Sequence, residues 1–391
     1  MIVPSSAPER LSPRDRTREE VYAIIRSSHG MSRSALSTAT GLSSSTVGHA
    51  VARLIAEGRV VESTLSPMGR GTGSGRRAAI LTAVPGAARV AGIDFGHQHF
   101  RVGIGDESAQ VVDELYVRQA VDDSPADGLD AACSAIEELC ARHGITNLAG
   151  VAVGVPGTVE RATGVIRMTT ILSNWSGMSP ALEVQKRLGV PALVDNDATL
   201  GALGERHHGA GEHHEDFLYV KASHGVGAAL VIDGEPYRGG TGFAGAIGHM
   251  HIEGRPELCR CGSRGCLEAV VSVPSVMEQI SHTRPQPDEE SVEDLATLTD
   301  AVSTRVLNEA GRVLGQALAD LINLVNPTAV IIGGELGSSG PAFIHGVRSS
   351  VNRFAQMPLA SACVVLPAQL GERAELVGAL VRAGSLIAPG S

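Results

Sequence analysis

The chain has 391 residues, of which 43% are hydrophobic and 19% charged, so it has enough apolar material for two or three folded domains and is not globally disordered. Its formal charge of −10 conceals an asymmetry, because residues 1–80 carry eleven arginines, no lysine and six acidic residues, a net charge of +5. No apolar run approaches the roughly 20 residues of a membrane-spanning helix and the N-terminus lacks the apolar core of a signal peptide, so we expect a soluble cytoplasmic protein without a membrane partner.

Three helices are predicted in the basic N-terminal segment. Apolar residues at helical spacing predict a first helix over residues 17–28. Ser32 is the predicted N-cap of a short second helix that turns Leu36 and Ala39 inward. After a turn at a glycine, Ser43 caps a third helix whose apolar residues again follow helical spacing. Two helices joined by a short glycine-containing turn, after a supporting helix, are typical of a helix-turn-helix.

A wing is predicted after the third helix. Val60 and Val61 begin a strand, a stretch rich in Gly, Ser and Arg follows, and the apolar residues 78–84 form the returning strand. This order predicts a winged helix-turn-helix DNA-binding domain over residues 1–83, with a generic three-helix scaffold and a solvated arginine-rich tail as the alternative. The predicted contacts to double-stranded operator DNA are Ser43, Ser44, Ser45, Thr46, His49 and Arg53 on the third helix and Arg70 and Arg76 in the wing.

Two polar turns stand out in the remainder of the chain. Apolar strands flank Asp94-Phe95-Gly96, as in the opening hairpin of the actin-like ATPase fold, although an ordinary turn also fits this pattern. A later strand ends at Asn196 and Asp197, where a helix begins, and polar side chains at that position suit ligand binding in an α/β sheet. Asp197 can accept a proton from a substrate hydroxyl. The alternative is that Asn196 and Asp197 only cap the helix.

A histidine and three cysteines cluster in the glycine-rich segment from Tyr219 to Glu268. One imidazole and three thiols in a Cys-x-Cys-Gly-x-x-Gly-Cys arrangement match the four N and S ligands of a closed tetrahedral zinc site. Since no coordination position would stay open, we expect this Zn²⁺ to be structural and to order its loop rather than activate water. Three unconnected thiols are the alternative. The predicted metal ligands are His249, Cys259, Cys261 and Cys266.

Together these motifs resemble the ROK family of repressors and sugar kinases. The most specific piece is Gly245-Ala246-Ile247-Gly248-His249, followed by the cysteine arrangement and Leu267-Glu268, and residues 195–198 and 326–334 also fit the family. An N-terminal winged helix resembles the repressor branch, because the family's kinases usually lack it.

The resemblance implies the fold class and the ligand contacts. It implies an α/β protein in which a two-lobed actin-like ATPase (RNase H-like) domain fills residues 84–391. The lobes would cover about 88–198 and 199–375, with the C-terminal helix returning to the first lobe. Zinc would hold His249 and Glu268 in place. The sugar contacts that the resemblance implies are Asn196, Asp197, His249 and Glu268.

The sequence departs from the family's kinases at both phosphate loops. The kinases carry Asp-x-Gly-Gly-Thr in the first loop, where this chain has His97 and Gln98 in the last two places. They carry Gly-Thr-Gly-x-Gly-Gly in the second loop, where this chain reads His224-Gly225-Val226-Gly227-Ala228-Ala229, and we expect the added Cβ atoms to crowd a nucleotide. Ala246 also replaces a sugar-binding glutamate. We therefore expect no bound ATP and no kinase activity, and Asp197 would be the catalytic base only in a kinase.

Three functions are compatible with these residues. The favoured hypothesis is a DNA-binding transcription regulator, a repressor of carbohydrate-related genes, controlled by a sugar or sugar derivative and acting as a homodimer or homotetramer. The second is an active ATP-dependent sugar kinase with an accessory DNA-binding domain. The third is a DNA-binding protein without sugar control. A long helix predicted near residues 301–325 is a candidate for dimer formation.

Overall fold

The chain divides into two units in a computed structural model. One unit, the head, is drawn from residues 1–89 and 387–391, and the other, the body, is Val90–Leu386. Within the part of the chain that the structure describes, no helix combines the length and the apolar character needed to cross a bilayer. The described residues are 17–18, 21–22, 24–25, 28, 30–56, 60–63, 79–83, 89–168, 171–282 and 295–387.

The head contains the two helices of a helix-turn-helix, α1 (Arg33–Thr40) and α2 (Ser44–Ala56). The Ser32 hydroxyl accepts a hydrogen bond of 3.2 Å from the amide three residues further on, and the Ser43 hydroxyl does the same at 3.2 Å. Both predicted N-caps are therefore confirmed, and each satisfies one of the amides that a helix start leaves without a partner.

The head has its own hydrophobic core. Leu36 of α1 is fully buried in it, together with Val47, Val51 and Leu54 from one face of α2. Ala39 is exposed, so its predicted inward orientation is wrong. A single methyl group buries too little surface to turn the last part of α1 towards the core once Leu36 is packed there.

A three-stranded antiparallel sheet completes the head. Its strands are β1 (Met31–Ser32), β2 (Val60–Ser63) and β3 (Ile80–Ala83), in the order β1-β3-β2. β2 and β3 pair from Val60 opposite Ala83 to Ser63 opposite Ile80 and form the base of the predicted wing. The predicted DNA contacts Arg70 and Arg76 lie between these strands, outside the described residues.

The first half of the body forms a five-stranded sheet and a short hairpin. The strands of the sheet are β4 (Arg89–Phe95), β5 (His99–Asp106), β6 (Val111–Arg118), β7 (Leu148–Val155) and β10 (Ala192–Asn196), and those of the hairpin are β8 (Thr158–Val159) and β9 (Ile166–Met168). The order is β10-β7-β4-β5-β6, with β10 parallel to β7 and β6 antiparallel to β5. Fully buried Phe95, Phe100 and Trp175 lead its core, into which α3 (Pro125–Arg142) also packs.

The second half of the body forms another five-stranded sheet. Its strands are β11 (Phe217–Ala222), β12 (Val226–Ile232), β13 (Glu235–Tyr237), β14 (Ala329–Gly333) and β15 (Val364–Pro367), in the order β13-β12-β11-β14-β15. The remaining helices are α4 (Pro180–Leu188), α5 (Asp197–His208), α6 (Leu267–Val271), α7 (Val273–Ser281), α8 (Ala301–Val325), α9 (Gly334–Ser338), α10 (Pro341–Phe354), α11 (Met357–Ala362) and α12 (Ala374–Gly384). Two mixed sheets with helices packed on them form the predicted α/β class.

Helices α5 and α12 cross at backbone contact distance. A Cβ atom built on Gly378 of α12 would overlap the Leu200 carbonyl oxygen of α5, and one built on Gly204 would overlap the Ala374 carbonyl oxygen. α5 begins at the polar turn of Asn196 and Asp197, so this crossing positions that turn.

Replacing Gly378 with alanine tests this crossing. We expect Gly378→Ala to lower the free energy of unfolding by about 1–3 kcal/mol, because the added methyl forces the two backbones apart. The matched control is Gly384→Ala at the end of the same helix, where a Cβ atom meets no other atom within 4 Å. Urea unfolding followed by circular dichroism measures both, and equal midpoints for the two variants would contradict the close crossing.

Candidate functional site

The four predicted metal ligands come together in the body. His249 Nδ1 lies 3.8 Å from Cys259 Sγ, and Cys261 Sγ lies 3.7 Å from Cys266 Sγ. All four ligand atoms lie within 4.8 Å of one another. Bonds of about 2.0–2.3 Å to a tetrahedral ion separate neighbouring ligand atoms by roughly 3.3–3.8 Å, so the cluster has the dimensions of a four-coordinate metal site.

The loop that carries the thiols is folded tightly enough to make them converge. The amide of Cys259 donates to Ser263 O at 2.8 Å, and Gly262 and Gly265 adopt positive φ angles of 90° and 71°. Burial raises the pKa of the Cys259 thiol to about 12, so a cation bound there would supply the stabilisation that its thiolate needs. The donor set therefore fits a thiophilic cation such as Zn²⁺.

A central cleft of about 940 Å³ opens beside this cluster. Ala246, which stands where the family's kinases have a sugar-binding glutamate, lines the same cleft. The Glu268 carboxylate accepts a hydrogen bond of 3.2 Å from the Val226 amide and has its other oxygen 3.9 Å from Cys259 Sγ, so the metal cluster and the cleft share this residue. The four predicted sugar contacts, Asn196, Asp197, His249 and Glu268, all line the cleft.

Asn196 and Asp197 have different hydrogen-bonding roles at the start of α5. The Asn196 side chain caps the helix, since its oxygen accepts from the Thr199 amide at 3.2 Å, and its nitrogen donates to Gly157 O and to Asp197 Oδ1, each at 3.0 Å. Both nitrogen-bound hydrogens of this amide are thus occupied. Asn196 therefore holds the carboxylate of Asp197 in position, and Asp197 Oδ1 also accepts a hydrogen bond of 2.8 Å from the Ala198 amide.

Lys221 on β11 is a central residue of the cleft that sequence reasoning missed. Its ammonium lies 3.0 Å from Asp197 Oδ2 and 3.6 Å from Glu375 Oε1. Burial alone would lower the pKa of Lys221, but Asp197, Glu375 and Asp94 outweigh burial and hold this pKa well above its usual range. Burial raises the pKa of Glu375 to about 7 and also raises that of Asp94. A lysine inside the apolar strand FLYVKA was the available signal, because a buried lysine needs carboxylate partners.

The two loops that resemble phosphate loops meet through imidazole rings. His97 of the first loop and His224 of the second have ring centroids 5.1 Å apart. His224 Nδ1 lies 3.5 Å from a carboxylate oxygen of Glu335, which also accepts a hydrogen bond of 3.1 Å from the Ser223 hydroxyl. Histidine side chains and a carboxylate therefore occupy the region where the family resemblance places ATP phosphates.

Two substituted residues of the second loop, Ala228 and Ala229, lie away from the cleft, so these two do not supply the crowding that we expected from the loop. Both side chains are buried on opposite faces of β12 in two separate hydrophobic cores, and neither lines the cleft. Successive residues of a strand point to opposite faces of the sheet, and both faces of β12 are covered here. His224 of the same loop, which also stands where the kinase pattern has a glycine, does line the cleft.

Comparisons with known proteins agree with this architecture. A family model described as the ROK family matches residues 90–384, and one described as winged helix-turn-helix DNA-binding matches residues 14–61. The chain belongs to the ROK family. Its ROK segment covers the body, and the second match falls within the head.

Three relatives of this ROK protein are informative. The xylose repressor of Bacillus subtilis (strain 168) is 30% identical over 351 residues, which is 89% of each chain. A solved ROK family transcriptional regulator, a homologue of the E. coli MLC protein, has a TM-score of 0.77 at 22% identity and covers 96% of this chain and 97% of its own. A ROK family glucokinase from Streptomyces griseus, solved with glucose and AMPPNP, has a TM-score of 0.67 at 26% identity and covers 76% of this chain and 100% of its own.

Metal content tests the cluster of His249 and the three thiols. We expect about one zinc ion per chain in purified protein and its loss in Cys261→Ser, because the remaining three ligands bind the ion far more weakly. Cys140→Ser, which changes a cysteine outside the cluster, is the control. Inductively coupled plasma mass spectrometry gives the metal content. Full occupancy in Cys261→Ser, or none in the unmodified protein, would show that these four residues do not form the site.

Proposed function

We propose that this chain is a sugar-responsive, DNA-binding repressor of carbohydrate-related genes. The observation that carries the proposal is the match to a xylose repressor over 89% of both chains, which includes the head as well as the body. The glucokinase from Streptomyces griseus is matched along its whole length by 76% of this chain. We assign DNA binding to residues 1–83 and ligand sensing to residues 84–391.

The start of α2 supports a role in reading DNA. The Ser43 hydroxyl lies 2.9 Å from the Ser45 hydroxyl and 2.8 Å from the Thr46 hydroxyl, so three short polar side chains meet at the N-terminal end of the helix. Helix amides and hydroxyls at this end suit contacts to phosphates and base edges in the major groove. His49 and Arg53 continue the exposed face of α2.

The central cleft supports sugar binding without catalysis. Six carboxylates line it, against three cationic side chains, so a polyphosphate would meet predominantly negative charge. The oxygen of Asp197 that would take a proton from the substrate already faces the Lys221 ammonium at 3.0 Å. Asp197, His249 and Glu268 would bind the sugar, and a structural zinc would fix the last two side chains.

Regulation requires the sugar to favour one arrangement of the protein over another. A sugar that binds one conformation of the cleft, open or closed, more tightly than the other would favour that conformation. In a homodimer this would favour one spacing of the two DNA-reading helices. Large apolar side chains are exposed near the C-terminal end of α8 and on the elements that follow it, which supports self-association through this region. They are Leu324, Phe354, Met357 and Val364.

Binding to its own promoter region tests the DNA-reading role. We expect Ser45→Asp to weaken binding by at least about tenfold, because the new carboxylate would face the DNA backbone. An acidic residue in the first turn of a helix does not destabilise that helix, so misfolding would not explain the loss. The matched control is Thr304→Asp, which adds the same charge to an exposed position in the first turn of α8 in the body.

Fluorescence anisotropy with full-length protein and a labelled promoter fragment measures the DNA affinity, with and without xylose, glucose and other monosaccharides. The proposal requires sequence-selective binding that at least one sugar alters, and Asp197→Asn should remove the sugar's effect but not the DNA binding. Selective binding that no sugar alters would favour a regulator without sugar control. No selective binding under any condition would refute the proposal.

An ATP-dependent sugar kinase is the second candidate, favoured by the glucokinase match and by the presence of Asp197. We expect no sugar-dependent ADP release above background from the full-length protein, because His97, His224 and Glu335 occupy the phosphate region. A coupled assay with glucose, xylose and other monosaccharides measures it. ADP release that requires sugar and disappears in Asp197→Asn would establish the kinase instead.

A further inference from the structure

A second cavity of about 790 Å³ lies in the body, apart from the metal cluster. It is bordered by the edge strands β10 and β13 of the two sheets, by the N-terminal end of α4 and by the C-terminal part of α12. The side chains of Arg161, Arg238 and Arg382 line it, and we name it the arginine cavity. Val159, Asn196 and Gly242 line both this cavity and the central cleft, so the two share a wall.

The three guanidinium groups have few partners. Arg238 Nη1 lies 2.6 Å from Asp195 Oδ1, while Arg382 Nε lies 3.7 Å from Asp195 Oδ2 and is buried without a hydrogen bond to any described residue. Arg161 is exposed and shows no hydrogen bond or ion pair within the described ranges. One buried carboxylate thus serves two guanidinium groups, and the third has none.

The other charged groups at the cavity do not remove this excess of positive charge. Glu160 is held by Arg167 at 2.6 Å and by the Thr163 hydroxyl at 2.5 Å. Glu235 is another carboxylate in the lining, and His207 also lines the cavity, with its pKa lowered mainly by burial. With Glu160 paired to Arg167, three arginines of the lining remain against two carboxylates, Glu235 and Asp195, an excess of one positive charge.

The end of α4 adds a neutral hydrogen-bonding side chain to the same wall. Ser179 occupies the N-cap position of this nine-residue helix, but its side chain makes no capping bond. Ser179 is a lining residue of the cavity, and its hydroxyl oxygen is buried without a hydrogen-bond partner in the described part of the chain. A hydroxyl and a guanidinium nitrogen without partners are groups that can donate to a phosphate oxygen.

We propose that the arginine cavity binds a phosphate dianion, either free or carried on a sugar, at a site distinct from the sugar contacts of the central cleft. Guanidinium groups match the geometry of phosphate oxygens, and 790 Å³ leaves room for a hexose phosphate. The anion would compete with Asp195 for Arg238 and Arg382. Because Asp195 Oδ1 also accepts a hydrogen bond of 3.0 Å from the Asn196 amide, the anion would act on the turn that carries Asp197.

Calorimetric titration of the full-length protein tests the site, with inorganic phosphate and glucose 6-phosphate as separate probes in a buffer without phosphate or sulfate. We expect saturable binding that weakens at least about tenfold, or about 1.4 kcal/mol, in Arg161→Gln and in Arg382→Gln. Arg161→Gln removes an exposed side chain without partners among the described residues, so the fold should survive it. Arg312→Gln, on the exposed face of α8 and outside both cavities, is the control and should bind as the unmodified protein does.

Asp195→Asn tests the proposal with a change expected to raise the affinity for phosphate rather than lower it. Removing the competing carboxylate should tighten phosphate binding, which general damage to the fold would not do. Tighter binding of glucose 6-phosphate than of inorganic phosphate would identify a sugar phosphate as the ligand, and equal binding would identify phosphate alone. Binding that is unchanged in both arginine variants would place the anion elsewhere, for example on the basic head, and would overturn the proposal. An absence of saturable binding up to about 20 mM of either probe would overturn it as well.

Discussion

The interaction on which the central cleft depends is the pairing of the Lys221 ammonium with buried carboxylates. Lys221 lies on β11 of the second sheet and faces Asp94 from the first sheet, Asp197 from α5 and Glu375 from α12. Taking a carboxylate out of water costs several kcal/mol unless a cation faces it. One cation therefore makes it possible for three acidic residues from three elements to converge at the cleft, and a neutral side chain at this position would leave them buried without a counter-charge.

Under the proposed function, this arrangement would separate sensing from catalysis. A kinase must admit a nucleotide and leave its base free to take a proton, whereas here Lys221 faces Asp197 and the imidazoles of His97 and His224 meet where phosphates would lie. A sensor needs only a ligand that binds one conformation more tightly than another. On the side of the cleft proposed to bind sugar, Glu268 accepts a hydrogen bond from the backbone of the second loop and contacts a thiol of the metal cluster.

Much of this molecule follows from local sequence signals. The caps at Ser32 and Ser43, the long helix α8 and the convergence of the four metal ligands could each be predicted, because short-range spacing and turn chemistry specify them. The ion-pair network of Lys221 could not be predicted, since its partners come from positions up to 154 residues away in the chain. The arginine cavity was missed for the same reason, because Arg161, Arg238 and Arg382 come from a hairpin, the end of an edge strand and a C-terminal helix that are far apart in the chain.

The single tryptophan of the chain sits in a position with a practical consequence. Trp175 is fully buried, donates its indole hydrogen to Val121 O at 3.0 Å and packs with its ring centroid 4.7 Å from that of Phe95. Phe95 is the last residue of β4, and its two neighbours in the chain, Asp94 and Gly96, line the cleft. The indole is therefore a built-in optical reporter of this turn, and any rearrangement there would shift its emission without the need for an added label.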